Sequence, residues 1–193
     1  VPALGSGAWY DIFQVGTVRN FQGMRAGGGT AEAREGTKLV LNCCGHAGQA
    51  TQQINWGPAR TDPGLTLRFF DRYLKGIDNG WEDEPAVHMD ILVPPDTGTV
   101  GTSFLLTADE FPLPGTEYVT WYLGSGGRAN TRHGDGVLVT RQGKQTNGNP
   151  DRFAYDPRDP VPTVGGNMCC GGLIPNGAQD QATVELRQDV LVY

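Results

Sequence analysis

Residues 38–46 read Lys38-Leu39-Val40-Leu41-Asn42-Cys43-Cys44-Gly45-His46. The run opens as a short strand whose apolar residues are too uniform for one wet face. That favours a parallel sheet covered on both sides. Residues 2–6, Pro2-Ala3-Leu4-Gly5-Ser6, have the same character. Between the two runs, Phe13, Val18, Phe21 and Met24 recur at near-helical spacing, which predicts a helix over 12–25. Gly27-Gly28-Gly29 breaks it. A polar loop over 47–61 follows His46. Asp62 then caps a second helix, with Pro63 in its first turn and Gly76 at its end. Leu67, Phe70, Tyr73 and Leu74 form the apolar stripe expected to lie on the sheet.

After Gly80 the helical spacing ends. Short β-rich runs follow at 87–93, 118–123, 136–140, 152–155 and 183–193, separated by Gly, Pro, Asn and Asp clusters. This is the pattern of an antiparallel sandwich. The fold class expected is therefore α/β plus all-β, with an α/β part over 1–84 and a β-sandwich over 85–193. No internal repeat is visible.

The chain has 193 residues, with 15 Lys+Arg against 21 Asp+Glu and a net charge of −6. The sign of the charge and the lack of a basic block argue against a nucleic-acid partner. No run approaches the roughly 18 apolar residues of a membrane-spanning helix, so no membrane partner is expected. Glycine (29) and proline (13) are abundant and predict many turns. Both ends read as the interior of strands, so the expectation is a portion of a longer polypeptide. The four cysteines form two adjacent pairs, Cys43-Cys44 and Cys169-Cys170. Neighbouring cysteines seldom bridge each other, so the expectation is four small buried apolar residues.

Among the three histidines, His46 has the most promising position, directly after a strand. Asp11 has the equivalent position after residues 2–6. In an open parallel sheet, ligands and reactive groups gather at the carboxyl ends of strands. An acid and then a histidine at the ends of successive strands is the order Asp…His of an α/β-hydrolase triad. The acid would hold the imidazole tautomer, and the histidine would shuttle the proton of a serine. Asp11 could equally cap the following helix, and His46 could be an ordinary loop residue. His88 reads as a structural strand residue and His133 as a solvated turn residue. A metal site of His46 with Cys43 and Cys44 is a weak third idea, because adjacent ligands poorly span a tetrahedral ion. None of the three serines, Ser6, Ser103 and Ser125, sits in a G-x-S-x-G elbow. Either there is no serine chemistry here, or the nucleophile lies before Val1.

Several motifs together resemble one family. Gly7-Ala8-Trp9-Tyr10-Asp11 resembles the G-G-W-Y-D segment of the cocaine esterase / X-prolyl dipeptidyl-peptidase-like (CocE/NonD) hydrolases. Cys44-Gly45-His46 stands where that family has a G-P-W-x-H type segment. Arg68-Phe69-Phe70-Asp71-Arg72-Tyr73-Leu74-Lys75-Gly76 is similar to its R-W-F-D-x-x-L-K-G helix. Tyr155-Asp156-Pro157-Arg158-Asp159-Pro160-Val161-Pro162-Thr163-Val164-Gly165-Gly166 is similar to its Y-D-P-x-x-P-V-P-T-x-G-G segment. The chain departs from the pattern at Ala8, at Cys43-Cys44-Gly45 and through residues 94–114.

The resemblance implies the C-terminal part of an α/β-hydrolase sheet followed by a jelly-roll β-sandwich, incomplete at its C-terminus. It implies a serine hydrolase acting on a small-molecule ester or amide, with Asp11 as triad acid and His46 as base. Trp9 and Tyr10, beside the acid, are expected to line the substrate pocket. The serine, the oxyanion-hole donor and a helical cap would belong to a preceding part of the same polypeptide. By itself the chain is then expected to be nearly inactive. No cofactor and no metal is implied. Compartment and homo-oligomerisation are left open. The rival reading is a jelly-roll binding module, with Tyr118, Trp121 and Tyr122 as an aromatic platform for carbohydrate.

Overall fold

The computed structural model describes residues 1–46, 53–141, 149–168 and 175–193. The second cysteine pair, Cys169-Cys170, lies outside the described residues. The chain divides into two compact units, one of residues 1–115 and 165–179, the other of 116–164 and 180–193.

The first unit is built on two successive strand–helix–strand crossovers. Strand β1 (Leu4–Tyr10) leads through α1 (Gln14–Gly27) and the short α2 (Ala31–Glu35) to β2 (Lys38–Gly45). β2 leads through α3 (Leu65–Lys75) and a 3-10 turn (Trp81–Asp83) to β3 (Val87–Val93), and β4 (Thr102–Ala108) follows. The sheet order is β1-β2-β3-β4, with the first three strands parallel and β4 antiparallel to β3.

The two faces of β2 explain the uniform apolar run. Leu39 and Leu41 pack on one side with Val18 and Phe21 of α1 and Val87 and Met89 of β3. Val40 packs on the other with Leu65 and Trp81, joined by Phe69 and Tyr73. α1 packs closely on β1, where a Cβ at Gly5 or Gly7 would stand in ordinary contact with Thr17, at 3.4 Å.

Three expectations are corrected. The buried face of α3 is Leu65, Phe69 and Tyr73. Of the expected stripe only Tyr73 packs inward, while Leu67 and Leu74 stay 62% and 76% exposed. Both stripes repeat at helical spacing. Trp81, wholly buried with its indole N–H donated to Gly36 O at 3.0 Å, selects the one that packs. Second, the run at 87–93 joins the parallel sheet, because Val87, His88, Met89 and Asp90 are all buried. The expected boundary near residue 84 thus falls inside the first unit. Third, Cys43 and Cys44 are bonded to each other, not separate thiols.

The described residues of the second unit hold one antiparallel pair, β5 (Tyr122–Gly124) with β6 (Val137–Val139), and a short helix α4 (Ala182–Glu185). The runs at 152–155 and 183–193, expected as strands, are irregular and partly helical respectively. Asp151 stands in for regular pairing there. It accepts from Ser125 Oγ, Tyr193 Oη and the Ala129 N–H at 2.5, 2.6 and 2.8 Å. These donors hold its carboxyl below the usual range, and the Tyr193 hydroxyl is pushed up to about 12. Tyr118 and Trp121 are exposed and Tyr122 is half-buried.

Candidate active site

Asp11 follows β1 directly, and a turn starts there. Its N–H donates to Ala8 O and its own carbonyl accepts from Gln14 N, both at 3.1 Å. Its Oδ1 accepts from Phe13 N at 2.9 Å, which turns the chain into α1. The side-chain amide of Asn167 donates to its carbonyl at 3.2 Å. Asp11 is thus held from several directions, and its side chain is only 12% exposed.

His46 leaves the end of β2, the neighbouring parallel strand. Its Nδ1 lies 3.2 Å from both carboxylate oxygens of Asp11. The ring of Phe13 meets the imidazole edge-on at 5.2 Å. With Nδ1 turned to an acceptor, the imidazole carries its proton there, and Nε2 becomes the nitrogen that can accept another. The alternatives left open for Asp11 meet in one side chain, which both leads into α1 and partners His46.

Both residues line a cleft of about 490 Å³ with Ser6, Gly7, Ala8, Asn42, Cys44 and Ala59. Its walls are mostly small residues. A cocaine esterase from Rhodococcus sp. (strain MB1 Bresler) is 32% identical over 200 residues, a match covering all of this chain and 32% of that protein. This chain belongs to the CocE/NonD hydrolases. It spans about a third of the length of the curated relative that it matches. Two structures of a CocE/NonD family hydrolase from Staphylococcus aureus align with 64% and 65% of the chain and 19% of their own length, at 24% and 22% identity. Their TM-scores of 0.42 make that likeness too slight to bear on the assignment. No family model matches the chain. The first unit of this CocE/NonD chain is an α/β layer, a sheet of three parallel strands and one antiparallel strand with helices packed on it.

Trp9 and Tyr10 are not among the residues lining the cleft of Asp11 and His46. Trp9 packs against the main core cluster and donates its indole N–H to Asp90 O at 2.5 Å. Both line a separate hollow with Asp90, Ile91 and Leu92. Alternation along β1 accounts for Trp9, which points to the face opposite Ala8. Ser103 is buried and donates to Trp56 O at 3.2 Å, and Ser125 donates to Asp151. Ser6 is exposed on β1. The disulfide takes both sulfurs of Cys43 and Cys44, which removes them as thiolate partners for His46 in a metal site. His88 is buried against Pro85 O at 3.1 Å and His133 is exposed, as their sequence contexts suggested.

The sequence reading missed Asp90. It is wholly buried on β3, and its carboxylate accepts from Cys43 N and Arg60 N, each at 3.0 Å. Burial pushes this carboxyl up, against the N–H groups of Arg60, Cys43 and Thr61 that favour its charge. The signal was an acid inside an otherwise apolar run, Met89-Asp90-Ile91.

Proposed function

We propose that this chain supplies the acid and base of a serine acyl-hydrolase triad, acting on an ester or amide. The observation that carries the reading is the Asp11–His46 pair at the carboxyl ends of two adjacent parallel strands, in an open cleft. Asp11 holds the Nδ1–H tautomer and stabilises the imidazolium. Nε2 of His46 takes the proton of a serine hydroxyl as that oxygen attacks the carbonyl. The same nitrogen then gives the proton to the leaving alcohol or amine, and water repeats the cycle on the acyl-enzyme. The serine and the oxyanion-hole donors are assigned to a part of the polypeptide outside these residues. None of the three serines here stands on a strand-to-helix elbow, and two are engaged elsewhere. We assign the second unit to the jelly-roll sandwich of the family, on its run of short β-rich segments and the Tyr155-to-Gly166 motif.

The test is kinetic. In the polypeptide that also carries the nucleophile, Asp11→Asn and His46→Ala should each lower kcat/KM for a chromogenic ester by about 10³–10⁴. Near wild-type rates in both variants would end the assignment.

A further inference from the structure

We infer that the Cys43–Cys44 disulfide is a positioning device that aims His46 at Asp11, and that a small dithiol reaching it through the cleft uncouples the pair. The inference rests on the triad reading above.

The register carries it. Ala8 pairs with Asn42 and Tyr10 pairs with Gly45, so β1 advances two residues while β2 advances three. The extra residue of β2 falls within Cys43 and Cys44, the two residues joined by the disulfide. Side chains of a strand alternate between faces, so an inserted residue reverses the direction of everything beyond it. His46 is the second residue after the pair. With the bulge it meets Asp11; a strand of plain register would turn it to the opposite face.

Two features hold the bulge. A bond between neighbouring side chains closes a small ring around one peptide unit, so the backbone torsions there are set covalently. The Cys43 N–H, displaced from regular pairing, is taken up by Asp90 Oδ2 at 3.0 Å. The pair is also packed tightly. Cys43 and Cys44 are 0% and 7% exposed, clustered with Trp56 and flanked by Ile54, Leu92 and Ala178. Two separate thiols need more room than a bonded pair, and a close-packed cluster yields it only by moving its neighbours.

Cys43 and Cys44 both line the cleft with His46, and only Cys44 keeps some exposure, 7%, so the attack is placed at Cys44 from the cleft side. One thiolate of the dithiol attacks Cys44 Sγ. The disulfide breaks, and Cys43 Sγ leaves as a thiolate that takes a proton from water. The second thiolate of the reagent closes on the mixed disulfide and releases Cys44. Two electrons pass to the cysteine pair, and the dithiol becomes a cyclic disulfide.

The test uses dithiothreitol on the polypeptide that also carries the nucleophile, with the His46 Nδ1–H resonance and ester hydrolysis as two independent readouts. Peptide mapping after alkylation should find Cys43 and Cys44 blocked before reduction and alkylated after it. Reduction should shift or abolish the low-field Nδ1–H signal of the Asp11 bond and slow hydrolysis by about tenfold or more, with recovery on reoxidation. The Cys43→Ala/Cys44→Ala variant should behave as the reduced protein whether or not dithiothreitol is present. Should that variant not fold, reduction of the wild-type protein decides alone. Thiols already free without reductant would overturn the inference. So would complete reduction that leaves both the His46 resonance and the rate unchanged. Full hydrolysis by His46→Ala would instead refute the triad reading, while the resonance would still report whether the bulge aims the histidine.

Discussion

Asp90 Oδ2 accepts the backbone N–H of Cys43 at 3.0 Å, tying β3 to the end of β2 one strand behind the Asp11–His46 pair. The carboxylate has no exposure to solvent and also receives Arg60 N. In Asp90→Asn one acceptor oxygen becomes an amide donor facing an N–H, so a buried donor goes unpaired. The expected cost is about 1–3 kcal/mol, read from urea denaturation. Its pH dependence has a definite sign. Burial raises the native pKa, so above the unfolded value of about 3.9 the native state binds more protons than the unfolded one. Stability from this group therefore falls as pH rises from there through the native pKa. The advantage of wild type over Asp90→Asn should shrink across that window. An advantage that grew with pH would contradict the burial argument.

Asp11 does two jobs, and two variants separate them. Its Oδ1 accepts from Phe13 N and also faces His46 Nδ1. Asp11→Asn keeps an oxygen for the turn but loses the charge that stabilises an imidazolium. Asp11→Ala loses both. Asp11→Ala should cost about 1 kcal/mol of stability and Asp11→Asn less than about 0.5. Both should lose about 10⁴ in hydrolysis. Equal stability losses in urea titrations would show that the turn does not depend on this oxygen.

The sequence exposed the parts that repeat and hid those that depend on depth. The uniform runs at 2–6 and 38–42 read as doubly covered strands because both faces of β2 meet a helix. Asp11 and His46 were legible for the same reason, since each ends such a run. The stripe of α3 was misread because two apolar stripes share the helix, and only the distant Trp81 chooses between them. β3 looked like a sandwich strand because its length and composition suit either sheet; its pairing with Leu39, Val40 and Leu41 decides. The disulfide was hidden because adjacent cysteines bridge only where the backbone is already distorted, and that bulge is a property of pairing with β1.

His88 should make the fold sensitive to mild acid. Burial holds its pKa below the ordinary value, helped by the charges of Lys38 and Arg68 and opposed by Glu84 and the Pro85 carbonyl. Below about pH 6.5 the unfolded chain takes up a proton that the native state refuses. Stability therefore falls as pH drops through that value. Replacing His88 by Gln should flatten this part of the profile between about pH 5 and 7. Urea midpoints at several pH values check it, and an unchanged slope in the variant would place the effect elsewhere.

Gly45, the residue before His46, is required by its neighbour rather than by its torsions. A Cβ there would lie 2.1 Å from Asn176 Nδ2 and 2.8 Å from its Cγ. Asn176 is 3% exposed, so its packed side chain has little room to retreat. Gly45→Ala should therefore cost about 1–3 kcal/mol and shift His46 from Asp11, lowering hydrolysis as well. Trimming the neighbour should relieve it, because the Asn176 Cβ would stand at 3.5 Å, an ordinary contact. Gly45→Ala/Asn176→Ala should then be less destabilised than the sum of the two single variants, by about 1 kcal/mol. Strict additivity in that cycle would mean that the amide is not what excludes a side chain at position 45.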